Sequence, residues 1–145
     1  MNRLCNITTF ANRNAVETAD RKHFLTSVAI HVLSVGPVDL GSMVHDALLN
    51  GPNFHLSIAT DYRELWSMPT NESVQVAILH NTLSAFETEA VCRLIRRRWI
   101  HTRILVVSIV ASNLEDALYD DRVVPSVSPE VLFATIERLS GGVYV

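Results

Sequence analysis

From residue 28 onward, short apolar runs alternate with stretches of helical period. Val28 to Val35 reads as a strand that Gly36-Pro37 breaks. Asp39 can cap a following helix, with Leu40, Val44, Ala47 and Leu48 on one face, ending at Asn50-Gly51-Pro52. Phe54 to Ala59 alternates apolar and polar residues, the pattern of a strand covered on one side. Asp61 to Met68 is a short helix. Val74 to Leu79 and Ile104 to Ile109 are nearly all apolar and predict central, buried strands. Between them, Ser84-Ala85-Phe86-Glu87 forms a capping box for a helix with Phe86, Ala90, Val91, Leu94 and Ile95 inward. Ser112-Asn113-Leu114-Glu115 predicts a second box, opening a short helix through Leu118. Arg122 to Val124 is a fifth strand. Ser128-Pro129-Glu130 then opens a last helix whose Leu132, Ile136 and Leu139 face the sheet.

Five strands alternating with five helices predict an α/β fold, a three-layer, flavodoxin-like doubly wound sheet. Right-handed crossovers and the apolar first, third and fourth strands give five parallel strands in the order 2-1-3-4-5. The domain covers residues 28–140. Residues 1–27, rich in Asn, Thr and Arg, read as a flexible N-terminal leader, and 141–145 as a tail.

Composition narrows the function classes. Hydrophobic residues make up 48% of the 145 and charged residues 19%, which fits a compact globular chain. The apolar runs are too short to span a bilayer, so no membrane is expected. Residues 1–27 carry four basic and two acidic side chains, +2, and the remainder eight Arg and thirteen acids, −5. A mildly acidic body gives no support for direct nucleic-acid binding. Cys5 and Cys92 have neither metal nor disulfide-framework spacing, and a reducing, cytoplasmic setting is the simpler reading. Lys22 is the only lysine in the chain.

The order and spacing of these elements resemble bacterial response-regulator receiver domains of the CheY-like kind, over roughly residues 28–140. Strand three with its exit, Val76-Ala77-Ile78-Leu79-His80-Asn81-Thr82-Leu83-Ser84, is similar to the family's strand and phospho-acceptor segment. Ile104 to Ser108 is similar to the strand that ends in a conserved hydroxyl, and Asp120 to Glu130 to the fifth strand and its lysine–proline turn. The resemblance implies a site built from an acidic pair holding Mg²⁺, an aspartate nucleophile, a hydroxyl and a lysine. In this chain the acidic pair falls on Gly36 and Pro37, the acceptor on His80, and the lysine on Pro125 (or Val124). Only the hydroxyl remains, as Ser108. Lys22 precedes the first strand, so no realignment restores the lysine. The resemblance therefore implies a degenerate pseudo-receiver: not an enzyme, without cofactor or metal, acting through a signalling protein or a homodimer partner.

Single residues add little chemistry. His80 reads as a polar residue at a strand end, because no second ligand or acid stands near it in the pattern. His31 reads as a hydrogen-bonded strand residue, and His45, His55 and His101 form no zinc spacing. Arg96-Arg97-Arg98 complements the C-terminal dipole of its own helix. Trp66 and Trp99 read as cover for a sheet edge. In receivers the face made by the fourth helix, fifth strand and fifth helix carries partner contacts. The matching stretch here, Leu114 to Leu139, nominates Glu115, Tyr119, Asp120, Asp121 and Arg122 as interface candidates. The competing reading is a small-molecule sensor using the crevice at the carboxyl ends of strands 1 and 3. Against it, the first loop is no phosphate cradle, and Pro37 removes an amide donor.

Overall fold

The computed structural model describes residues 29–70, 73–109, 114 and 116–141. The leader, the second capping box at Ser112 and the interface candidate Glu115 lie outside the described residues. The elements run β1 (Ile30–Val35), α1 (Leu40–Leu48), β2 (Phe54–Ala59), α2 (Tyr62–Ser67), β3 (Val76–Leu79), α3 (Ala85–Arg98), β4 (Arg103–Val107), a 3₁₀ turn (Asp116–Leu118), β5 (Asp121–Val123) and α4 (Pro129–Leu139). All strand pairs are parallel and the order is β2-β1-β3-β4-β5. This is the order that the apolar runs predicted.

Alternation along the strands divides the core in two. Leu33, Val35, Ala77, Leu79, Ile104 and Val106 face Leu65 of α2 and Val91, Leu94 and Ile95 of α3. Ile30, Val32, Val76, Ile78, Leu105 and Val107 face Leu49, just beyond α1, and Leu132, Ile136 and Leu139 of α4. The three inner strands are apolar on both faces because both faces are covered. β2 and β5 are the half-buried edges.

The helix starts follow their caps. Asp39 and Ser42 form a reciprocal capping box on α1, Asp61 accepts the Glu64 amide, Ser84 the Glu87 amide and Ser128 the Val131 amide, with Pro129 in the first turn of α4. Among the described residues the expected helix ending at Leu118 is a single 3₁₀ turn. No helix there is long and apolar enough to cross a membrane.

Two expected inward faces are corrected. Phe86 is 84% exposed, because it lies five residues before Val91 and so falls off the i, i+3, i+4 face that buries Val91, Leu94 and Ile95. On α1, Leu48 packs half-buried against the core, but Leu40 and Val44 are exposed at 80% and 57%, Ala47 is exposed, and the buried positions are Ser42, His45 and Leu49. The arginine run also does more than offset a dipole. Arg98 donates to the carbonyls of Leu65, Trp66 and Met68 at the end of α2, and its guanidinium sits 5.5 Å from the rings of both Trp66 and Trp99. Trp99 is buried, whereas Trp66 is exposed and does not cover an edge.

Ile78 is fully buried on a central strand, between the α1 and α4 side of the core and its neighbours β1 and β4. Replacing it with Ala should cost about 2–5 kcal/mol in urea unfolding without changing the far-UV spectrum of the folded state.

Candidate functional site

The carboxyl ends of β1, β3 and β4 bring Gly36, His80 and Ser108 to one edge of the sheet. The Gly36 amide donates to the Ala59 carbonyl at 3.0 Å and the His80 amide to the Val35 carbonyl at 2.9 Å, so both loops leave the sheet in fixed register. Gly36 is buried with φ +140°, a conformation that glycine adopts without steric cost. A Cβ added there would stand 2.9 Å from Thr82 Oγ1 and 3.2 Å from His80 Cβ. A side chain at this position would have to displace the Thr82 and His80 side chains, besides the strain of positive φ. Pro37 follows, exposed.

His80 is 3% exposed and points toward α1, as do Ser34 and Ile78 at alternate positions. Its Nε2 is 2.8 Å from Ser34 Oγ, and the Ser34 hydroxyl donates to Asp46 Oδ1 at 2.8 Å. Since that hydroxyl has one proton and gives it to Asp46, it accepts from His80, which assigns the hydrogen to Nε2. The carboxylate is 3.6 Å from the same nitrogen. His45 stacks on His80 with ring centroids 5.9 Å apart. Its Nδ1 is buried without a hydrogen-bond partner.

The charges follow from these contacts. Burial acts to raise the Asp46 pKa, but the hydrogen bonds from His80 and Ser34 and the two nearby imidazoles outweigh it and hold the carboxyl below its ordinary 3.8. Burial and the neighbouring His80 push His45 below its ordinary 6.5, against the Pro125 backbone, Asp46 and Asp39, which favour its charged form. Ser34, His80 and Asp46 are the residue types of a hydrolytic triad in an unsuitable order. The hydroxyl lies between imidazole and carboxylate and donates to the acid, so no base activates it.

On the other flank, the Ser108 amide donates to the Val123 carbonyl at 2.9 Å, and Arg122 Nη1 donates to the Ser108 carbonyl at 2.9 Å. A guanidinium on β5 is thus bound to the backbone of Ser108, the residue that retains the hydroxyl. Pro125 occupies the turn after β5, where the Val127 amide returns to the Val124 carbonyl. Asp120 accepts the Ile104 amide at 2.7 Å and pairs with Arg96 and Arg103. Asp121 is bonded to the Arg122 amide and to Arg138, and Tyr119 packs half-buried against the core. These acids carry structural contacts as well as surface. His31, by contrast, fits its reading as a hydrogen-bonded strand residue, held by the Ser73 carbonyl and the Ser57 hydroxyl. Cys92 is buried, which pushes its thiol up to about 11.

No protein-family model and no curated protein matches the sequence. Solved structures do match. The chemotaxis response regulator CheY4 of Vibrio cholerae superposes with a TM-score of 0.66 at 18% identity, over 77% of this chain and 99% of that one. A CheY-like receiver domain protein from Methanospirillum hungatei gives 0.64 at 20% identity, over 79% and 97%. The receiver domain of a sensor histidine kinase from Pseudomonas aeruginosa, which has a magnesium ion coordinated in its active-site cleft, gives 0.65 at 14%, over 79% and 99%. The chain has the receiver fold.

On that fold, the sequence resemblance had singled out Gly36, Pro37, His80, Ser108 and Pro125, and the structure gathers the ends of their strands. It missed Ser34, His45 and Asp46. The available signal was the spacing Ser42, His45, Asp46, Leu49, an i, i+3, i+4, i+7 face that competes with the more apolar stripe beside it. Among the described residues no group of three or more His, Cys, Asp or Glu is arranged to hold a metal ion.

Gly36→Asp should destabilise the fold by about 1–3 kcal/mol in urea titrations, through strain at positive φ and contact with Thr82 and His80. A stabilised variant would contradict the crowding. The pH dependence has a defined sign. With the folded pKa of His45 below 6.5, the unfolded chain binds more protons in mild acid. The stability from this group is complete above 6.5 and declines as the pH falls through that value. Asp46 adds a loss only further down, as the pH falls through a folded pKa below 3.8. Unfolding midpoints should therefore fall between pH 7.5 and 5.5, and less so in His45→Gln.

Proposed function

We propose that the chain is a receiver-fold interaction module of a signalling system that works without phosphorylation of an aspartate. The observation that carries this reading is the state of His80 at the position the resemblance gives to the acceptor. It is buried and bonded through Ser34 to Asp46, in a network closed toward α1. The crowding at Gly36 supports the same conclusion, since a carboxylate there would collide with Thr82 and His80. Mg²⁺ takes oxygen ligands in near-octahedral array, and the loop after β1 offers glycine and proline instead. The nearby acid, Asp46, is bound to Ser34 and lies 3.6 Å from His80.

Under this reading the protein is not an enzyme, uses no cofactor, and acts in the cytoplasm by contact with a signalling protein or a second copy of itself. The strand ends hold structure, and function lies on the helical surfaces. Arg122 beside Ser108 is the nearest substitute for the missing lysine, but its guanidinium is engaged with the Ser108 carbonyl.

Acetyl phosphate or beryllofluoride, with millimolar Mg²⁺, should leave the intact mass and the oligomeric state unchanged. Amide resonances of residues 35–38 and 80 should not move in the same titration. A saturable shift there, or a phosphoryl adduct located by mass spectrometry on His80 or any aspartate, would overturn the proposal.

A further inference from the structure

The outer face of α1 is the most unusual surface of the described residues. Leu40, Met43 and Val44 are 80%, 53% and 57% exposed, and Val38 just before the helix is 57% exposed. Gly41 and Ala47 complete that face, and none of its residues carries a charge. The polar residues of the same helix turn inward: Ser42 and His45 are buried, and the Asp46 side chain is only 16% exposed. A helix usually shows its polar face to water. Here the phase is reversed, and an uncovered apolar stripe of this kind marks an association site.

We infer that this stripe pairs with the same stripe of a second copy, the two α1 helices running antiparallel about a two-fold axis between Met43 and Val44. The pairing stands apart from the phosphorylation reading above and rests on self-complementarity. About that axis Leu40 meets the partner's Ala47, a large residue against a small one, and Met43 meets the partner's Val44. The spacing 40, 43, 44, 47 is the i, i+3, i+4, i+7 seam of packed helices. A two-fold interface must present one patch to itself, so any charge on it meets its own sign. Residues 28–145 carry −5 (eight Arg, thirteen acids), and this face is free of charge. Antiparallel alignment also sets each helix N-terminus beside the other's C-terminus, which favours the dipoles.

The stripe is a single helix face two turns, about 10 Å, long, and so offers a small area beside the roughly 800 Å² per partner of a standard interface. The dimer is therefore weak, with a dissociation constant in the micromolar range or above. Sedimentation equilibrium of the whole chain should show the average mass rise from monomer toward dimer with concentration. Leu40→Glu with Met43→Glu should weaken association at least tenfold while circular dichroism and the melting temperature hold. Leu40→Lys alone should also be monomeric. Adding Ala47→Glu should restore the dimer, because the new ammonium of one copy then faces the new carboxylate of the other only in the antiparallel arrangement. A wild-type chain that stays monomeric at all concentrations, or a dimer unaffected by the glutamate pair, overturns the proposal. So does a chain carrying both Leu40→Lys and Ala47→Glu that remains monomeric.

Discussion

The chain of contacts from His80 through Ser34 to Asp46 ties α1 to two strands, β1 and β3, that the sheet ladder already pairs. β1 supplies the hydroxyl, the exit of β3 the imidazole, and α1 the carboxylate. A carboxylate nearly removed from water is costly unless its lone pairs are met, and a buried imidazole likewise needs a partner. Each of these groups offsets the desolvation of the next. The network also sets the phase of α1, since Asp46 must face the sheet for Ser34 to reach it.

That phase explains where sequence pattern and structure part company. The strands were legible because the inner ones are apolar on both faces and the edges alternate. Helix starts were legible because Asp39, Ser84 and Ser128 cap through local bonds that depend on neighbouring residues alone. The inward face of α1 was not, because the more apolar stripe competes with a polar one whose partners lie at the far ends of β1 and β3. No local rule weighs a contact between residues 34, 46 and 80. Phe86 failed for a simpler reason: one apolar residue in the first turn was counted into a face that begins a turn later.

The site shows the same division. Spacing alone led to Gly36, His80 and Ser108 through resemblance to the receiver pattern, and the parallel register puts the ends of their strands side by side. What spacing could not show is that the space beside Gly36 is closed by Thr82 and His80, or that His80 turns toward α1. Asp120 illustrates the converse. It looked like a free surface acid, but it accepts the Ile104 amide and two arginines, so reversing its charge would disturb the start of β4 as well as any interface.

One choice of helix phase thus has two consequences on opposite sides of α1. Inside, Ser42, His45 and Asp46 occupy positions that apolar residues fill elsewhere on this face of the sheet: Ser42 bonds to Asp39 in the capping box, His45 stacks on His80, and Asp46 accepts from Ser34 of β1. Outside, Leu40, Met43 and Val44 are left in water, where about 25 cal/mol per Å² favours covering them. A rotation of α1 that buried the stripe would carry Asp46 into solvent and leave the buried Ser34–His80 pair without its carboxylate acceptor, so the two arrangements cannot interchange cheaply. The apolar face is then a fixed property of the folded domain, bound to the same contacts that close its strand ends.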